Sequence, residues 1–199
     1  MGCAPKYADR FNFSQIDEFQ MALYAKNVIA VGPCGLDCTI KLDMGLQRTV
    51  FKLQIEIATE MGLPLVIQSK MADLDCLDLL ERYTPSTQKI HIQGFEGDDN
   101  TASCWMSSFP NVYFGLTPVI GDSATPTYIK DMVRSIPLNR VLLESGAPHF
   151  VPEKFSNDVQ SSHFGFALVT AQAVGELRRV SMDTVLKVCR DNTRRFYDI

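Results

Sequence analysis

The sequence predicts an α/β protein with a parallel sheet, and three observations indicate this fold class. Short apolar runs rich in β-branched residues recur along the whole chain. Between them lie longer stretches whose apolar residues repeat at helical spacing. Cap and turn residues such as Ser14, Pro126 and Ser181 punctuate these stretches. Regular alternation of the two kinds of segment is typical of repeated strand–helix units around a parallel sheet.

Each element has its own signal. Apolar runs predict strands at 28–31, 65–67, 89–92, 112–114 and 141–143. The first helix opens at Ser14, a good N-cap, followed by Ile16, Phe19 and Leu23 on one face. The second and third helices, at 46–61 and 72–83, have leucine-rich stripes. A weaker helix is predicted at 101–108, and others near Thr125, at 162–177 and at 181–190.

Composition and charge narrow the functional classes. With 199 residues and ordinary globular composition, the chain fits a single domain, 1–199. The net charge of −4 argues against a protein that binds nucleic acid through phosphate contacts, so we do not expect nucleic acid as a partner. The acidic pairs at 73/75 and 98/99 are expected to be solvated. No signal peptide or membrane span is predicted, and no C-x-x-C pair is present among the six cysteines. These features predict a cytoplasmic protein, with the nucleus left open.

Four short segments carry a recognisable framework. They read V-G-P-C-G-L-D at 31–37, V-I-Q-S-K at 66–70, I-H-I-Q-G-F at 90–95 and L-L-E-S-G-A-P at 142–148. Together they resemble the TatD family of metal-dependent deoxyribonucleases, most closely the animal TatD-domain-containing branch. Segments 2–10, 47–60, 137–143 and 191–196 extend the resemblance over almost the whole chain.

The resemblance implies a metal site whose ligand side chains are replaced. The family's glutamate falls on Pro33, its two histidines on Gln68 and Gln93, and its aspartate on Gly146. Proline and glycine offer no side-chain ligand, and a glutamine amide is neutral and weaker. Without the metal, nothing lowers the pKa of a bound water from about 15.7 toward ~7. We therefore expect no metal and a catalytically inactive TatD-like pseudoenzyme with a structural, self-assembling or partner-binding role.

Five further residues are candidates for ligand binding: Asp37, Lys70, His91, Glu144 and His149. Asp37 and Glu144 match framework acids and are expected to hold loops, whereas Lys70 could attract an anion. His91 could be a relocated metal ligand or a hydrogen-bonded core residue. The alternative function is a metal-dependent nuclease or phosphoesterase that hydrolyses DNA with a site rebuilt from these residues, using Mg²⁺ or Mn²⁺. A third possibility is a small-ligand binder that uses the emptied cavity.

The strand count bears on the architecture. A closed TIM-type barrel has eight strands, and this sequence predicts five. We therefore expect an incomplete TIM-like (β/α) barrel of the TatD/amidohydrolase type, lacking the first strand–helix units. Such a barrel exposes an open edge and apolar surface. The prediction is a homo-oligomer, or a protein partner that covers this edge.

Overall fold

A computed structural model describes residues 1–157 and 159–199 of the chain. In this part of the chain the strands are β1 (Val31–Asp37), β2 (Leu65–Lys70), β3 (Ile90–Ile92), β4 (Val112–Leu116) and β5 (Val141–Leu143). The α-helices are α1 (Ile16–Leu23), α2 (Met44–Met61), α3 (Asp73–Tyr83), α4 (Asp99–Ser108), α5 (Thr127–Ser135), α6 (Ala167–Arg178) and α7 (Met182–Tyr197). The strands follow one another in the sheet in chain order, and the α/β prediction is confirmed.

Most predicted elements are present, and the first strand is the exception. Strands β2 to β5 overlap their predicted positions, whereas β1 begins where the predicted strand 28–31 ends. The G-P-C-G run after Val31 has the composition of a turn, but β1 continues through it because β2 pairs with it. The cap predicted at Ser181 is confirmed, since its side chain accepts a hydrogen bond from the Thr184 amide. The cap predicted at Ser14 is wrong, because Ser14 lies in a short 3₁₀ turn and α1 begins at Ile16.

The described chain divides into two compact units, each formed from two segments. The first comprises 1–93 and 105–112, and the second comprises 94–104 and 113–199. The prediction of a single domain over 1–199 stays a prediction. Within the described residues, no helix is both long and apolar enough to cross a membrane.

The first unit is organised by parallel pairing of β1, β2 and β3. Leu65 is the register partner of both Val31 and Ile90. Gly35 has φ +133° and a Cβ there would come 2.1 Å from Gln68 O, so β1 approaches β2 this closely only with glycine at this position. Fully buried side chains fill the core of this unit, among them Leu36, Phe51, Ile55, Ile67, Ile92 and Trp105.

The second unit contains the parallel pair β4 and β5, with Gly115 opposite Leu142. Its apolar cluster joins Tyr113, Leu142 and Phe196, with Tyr197 packed against it. The rings of Tyr113 and Phe196 lie 5.3 Å apart in an edge-to-face arrangement. Asn192 of α7 donates hydrogen bonds to Leu138 O and Val141 O, which ties this helix to the start of β5.

Gln47 fixes the end of β1 in the first unit. Its side chain is 1% exposed, accepts a hydrogen bond from Asp37 N (2.8 Å) and donates to Asp37 O and Leu42 O (3.2 Å each). Gln47→Leu removes three bonds to the backbone at this point. We expect it to lower the free energy of unfolding by about 2–3 kcal/mol, because buried polar groups lose their partners. Urea unfolding followed by circular dichroism measures this loss.

The control for this measurement is Gln172→Leu. Gln172 is exposed and donates to Glu176 on the surface of α6, so its replacement should change stability by less than about 0.5 kcal/mol. Equal losses in the two variants would contradict the role of Gln47.

Candidate active site

The candidate residues of the first unit lie along three adjacent strands. Pro33 is in β1, and Gln68 and Lys70 are in β2. His91 is in β3, and Gln93 is the first residue after that strand. Gln68 is the register partner of Gly35, and Gln93 N donates to Ile67 O (2.8 Å). The carboxyl ends of parallel strands are where α/β proteins place their chemistry. The structure therefore brings these residues to one region of the unit.

Two of these positions differ from the sequence prediction. The predicted strands 28–31 and 65–67 end before Pro33 and Gln68, but both residues lie inside strands, because β1 and β2 pair as far as Asp37 and Lys70. Pro33 follows a cis peptide bond and lies where the β1–β2 register shifts. It contributes no side-chain donor or acceptor to this region.

Asp37 shapes the loop after β1. Its Oδ1 accepts hydrogen bonds from Thr39 N (2.8 Å) and Thr39 Oγ1 (2.5 Å), while Gln47 holds its backbone. Asp37 is also the register partner of Lys70. A carboxylate and a cation thus end the two paired strands side by side, and the carboxylate is already engaged in a turn.

Asp73 was expected to be solvated, and this expectation is wrong. Asp73 is the first residue of α3 and is half-buried, and its carboxylate accepts a hydrogen bond from Trp105 Nε1 (2.9 Å). Burial raises the pKa of the Asp73 carboxyl above its ordinary value, although the Trp105 bond opposes this. Trp105 is fully buried and comes from a distant segment, so local sequence gave no sign of this pair.

His91 and Gln93 have different surroundings. His91 is buried in β3. Gln93 is half-exposed as a residue, but its Oε1 atom is buried and accepts no hydrogen bond. An unpaired buried oxygen costs about 1–3 kcal/mol. Gln93 therefore offers one neutral acceptor at the end of β3.

Glu144 follows β5 in the second unit and is held from several sides. Its Oε2 accepts from Gly94 N (3.2 Å), and its backbone oxygen accepts from Thr170 Oγ1 (2.8 Å). Burial, and then the charge of Glu144, raise the pKa of Tyr197 to about 12. The prediction that Glu144 holds a loop agrees with these contacts.

The side chain of Phe150 occupies the space that the family's aspartate would need at Gly146. Its φ is +64°, and a Cβ there would come 2.6 Å from the ring of Phe150 and 2.7 Å from its Cβ. His149 N and Phe150 N both donate to Gly146 O, and the His149 side chain is exposed. The ring of Phe150 thus lies where a side chain at 146 would begin.

The metal implied by the resemblance does not fit the described residues. In residues 1–157 and 159–199, no group of three or more His, Cys, Asp or Glu side chains is placed to hold a metal ion. A hydrolytic divalent metal needs several charged or imidazole ligands. The residues at 33, 68 and 93 supply at most neutral amide oxygens. The residues present at these positions therefore do not support a metal-dependent step there.

Comparisons with known proteins identify the family. The sequence model described as TatD related DNase matches residues 1–198. The human protein named 3'-5' RNA nuclease TATDN2 is 31% identical over all of this chain, which spans 26% of that protein's length. The 3'-5' ssDNA/RNA exonuclease TatD of Edwardsiella piscicida is 24% identical, over 98% of this chain and 76% of its own length.

A solved structure agrees on the fold. The TatD homologue YJJV of Escherichia coli K12 matches with a TM-score of 0.88 at 23% identity, over 100% of this chain and 76% of its own. This likeness confirms the predicted TIM-barrel type of fold.

The expectation of a catalytically inactive pseudoenzyme is contradicted. The similar proteins are named as nucleases and metal-dependent hydrolases. Four side chains that the family uses as ligands are replaced in this chain, at 33, 68, 93 and 146. Their loss excludes one arrangement of ligands, but it does not exclude hydrolysis by groups at other positions. The nuclease alternative fits these findings better.

Gly146→Ala tests the packing around position 146. We expect the free energy of unfolding to fall by about 2–4 kcal/mol, because a left-handed backbone and a clash with Phe150 are both unfavourable for a Cβ. The matched control is Gly62→Ala, since Gly62 has φ +65° with no heavy atom within 4 Å of a Cβ. The control should lose only about 1 kcal/mol. Urea unfolding compares the two, and equal losses would show that Phe150 does not restrict this position.

Asp73→Asn tests the environment of the buried carboxyl. Because the folded-state pKa is raised, the native state binds more protons than the unfolded state between the ordinary and the raised pKa. The carboxyl therefore destabilises the fold increasingly as pH rises through this window. Below the window it is protonated in both states and does not change the stability. We expect Asp73→Asn, which keeps an acceptor for Trp105, to increase stability at pH 7. The gain should disappear when unfolding is measured below the ordinary aspartate pKa of about 3.9. A gain independent of pH would contradict the burial argument.

Proposed function

This chain belongs to the TatD-related DNase family, and from that premise we propose that it hydrolyses phosphodiester bonds in nucleic acid. One observation carries the proposal: the family match extends over residues 1–198, along a chain whose relatives are named as nucleases. The substrate class comes from those names. The chain spans only about a quarter of the human relative's length. Nuclease activity of this chain is therefore proposed and is not taken over from that protein.

The residues at the ends of β1 and β2 support binding of a phosphate. Lys70 ends β2 in register with Asp37, whose carboxylate Thr39 already engages. A lysine is a compact cation that binds phosphate as a point charge. Asp37 fixes the neighbouring loop, and Gln47 fixes Asp37 through its backbone. In this proposal Lys70 attracts the scissile phosphate, and Asp37 and Gln47 hold the loop beside it.

The proposal replaces the expectation that nucleic acid is not a partner. That expectation used the net charge of −4, and net charge does not describe a local surface. We retain a cytoplasmic location as part of the proposal, which the six free cysteines support. The homo-oligomer or covering partner stays a prediction.

A nuclease assay tests the proposal. The purified chain is incubated with end-labelled single-stranded DNA and RNA oligonucleotides, with Mg²⁺, with Mn²⁺ or with EDTA. We expect shortening of the oligonucleotides, and the EDTA reactions reveal whether it needs a metal. Lys70→Ala should lower kcat/KM roughly 10- to 100-fold, because a hydrogen bond to a charged group contributes about 1.5–3 kcal/mol.

The control variant is Lys26→Ala, an exposed lysine that precedes β1 in the same unit. It should leave the rate unchanged. No shortening under any condition by a chain with a native circular dichroism spectrum would overturn the proposal. Equal rates for the Lys70 and Lys26 variants would remove Lys70 from it.

A further inference from the structure

A cavity of about 340 Å³ lies in the second unit, away from the candidate residues described above. Its wall is formed by the 3₁₀ turn Pro118–Gly121, by α5, and by the end of α6 with the residue that follows it. Three cations line it, namely Lys130, Arg134 and Arg179, together with one carboxylate, Glu176. A cavity of this size is large enough for a small molecule.

The rest of the wall is small or apolar. Ile120 and Ala173 are buried, and Leu177 is half-buried. Gly121 brings the turn close to α6, since a Cβ at this position would come 3.0 Å from Ala173 Cβ. The cavity therefore combines an apolar wall with a cluster of positive charge.

The cations of the cavity have donors to spare. Among the described residues, the side chains of Lys130 and Arg179 have no hydrogen-bond or ion-pair partner. Arg134 donates one bond from its Nη1 to Asp131 Oδ1 (2.6 Å), and Asp131 does not line the cavity. A guanidinium carries five N–H donors, so this bond leaves most of those of Arg134 for a ligand.

Stability of the helices does not explain this cluster. Cations near a helix C-terminus often serve its free carbonyls, but Arg178 already does so for α5. Its Nη1 donates to Val133 O (2.8 Å) and to Ile136 O (2.5 Å). Lys130 and Arg134 are four residues apart on α5, a spacing at which like charges destabilise a helix. A bound anion would relieve this repulsion.

Arg179 is held at the cavity by an unusual backbone. It follows α6 with φ +56°, a conformation for which glycine is the usual residue at a helix end. The turn is closed by a bond from Val180 N to Gly175 O (3.0 Å), and a Cβ at Gly175 would come 2.9 Å from Val180 O. A large cation thus stands where the backbone favours glycine.

We propose that this cavity binds a small phosphate monoester, whose phosphate contacts Lys130, Arg134 and Arg179. Arginine matches phosphate oxygens with paired donors, and lysine binds them as a point charge. The uncharged body of the ligand lies against the apolar wall. The one carboxylate, Glu176, accepts a bond from Gln172 (2.9 Å), which is outside the lining. The proposal goes beyond the proposed hydrolysis and does not depend on it.

Binding of phenylphosphonate, measured by isothermal titration calorimetry at about pH 8 in EDTA, tests the cavity. This compound has a doubly charged oxyanion and an apolar ring, and its carbon–phosphorus bond resists hydrolysis. We expect a Kd of about 1 mM or below. Lys130→Gln and Arg179→Gly should each raise Kd roughly 10-fold or more, because a hydrogen bond between charged groups is lost.

Arg179→Gly separates binding from folding. Because glycine suits a φ of +56°, this variant should unfold at a urea concentration no lower than the unchanged chain does. The matched control is Lys187→Gln, an exposed lysine of α7 in the same unit that does not line the cavity. The control should keep its Kd. Binding by Arg179→Gly as tight as that of the unchanged chain would overturn the proposal.

Two related compounds define what is recognised. Benzoate keeps the ring but carries one negative charge, and inorganic phosphate lacks the ring. Each should bind at least about 5-fold more weakly than phenylphosphonate. Equal binding of benzoate would overturn recognition of phosphate, and equal binding of inorganic phosphate would overturn the role of the apolar wall.

Lys70→Ala distinguishes the cavity from the candidate active site. We expect this variant to keep binding of phenylphosphonate, since Lys70 belongs to the first unit. A Kd that rises in Lys70→Ala but not in Arg179→Gly would place the compound at the ends of β1 and β2 and overturn the proposal. Binding that depends on Arg179, in a chain without nuclease activity, would support the cavity and overturn only the proposed hydrolysis.

Macromolecules can also present a phosphate monoester. A phosphoserine peptide and vesicles containing phosphatidic acid should both bind more weakly than phenylphosphonate, because the cavity has room for a small molecule. Tighter binding of either one, lost in Arg179→Gly, would overturn the small molecule as the occupant.

Discussion

Strand β1 lies so close to β2 that a Cβ at Gly35 would come 2.1 Å from Gln68 O. This approach places Asp37 opposite Lys70 at the ends of the two strands. Gln47 then fixes the chain where β1 ends, through bonds to the backbone of Asp37 and Leu42. The same strand binds Met1 through Gly32, and so positions the first residues of the described chain. The residues proposed to bind the scissile phosphate therefore depend on β1.

The replaced ligand positions are part of a wider change in local structure. Pro33 lies inside a strand at a register shift, and Gln93 presents a buried oxygen without a partner. At Gly146 the left-handed backbone and the ring of Phe150 leave no room for a Cβ. Because each position has packed around its present residue, the metal-binding arrangement of the family does not fit here. The proposed hydrolysis therefore relies on groups at other positions of the chain.

Charge illustrates how bulk properties and local chemistry diverge. The chain carries a net charge of −4, yet Lys6 and Arg10 flank an accessible tyrosine ring. Asp73, which the sequence places in an acidic cluster, is half-buried and bound to Trp105. Electrostatic effects at short range depend on burial and neighbours, so the sum of charges predicts neither feature.

The sequence by itself determined the elements whose signals are local. Apolar β-rich runs located β2 to β5, helical periodicity located α2 and α3, and the Ser181 cap marked the start of α7. The resemblance of its motifs to those of the TatD family also indicated the family that the comparison confirms. Tertiary structure alone decided the extent of β1, the bond between Asp73 and Trp105, and the bond between Cys3 and Gln54. In each case the deciding contact joins residues far apart in the chain, such as Gly35 with Gln68 or Cys3 with Gln54. Local propensity carries no information on such contacts, because they form only when the folded backbone brings distant segments together.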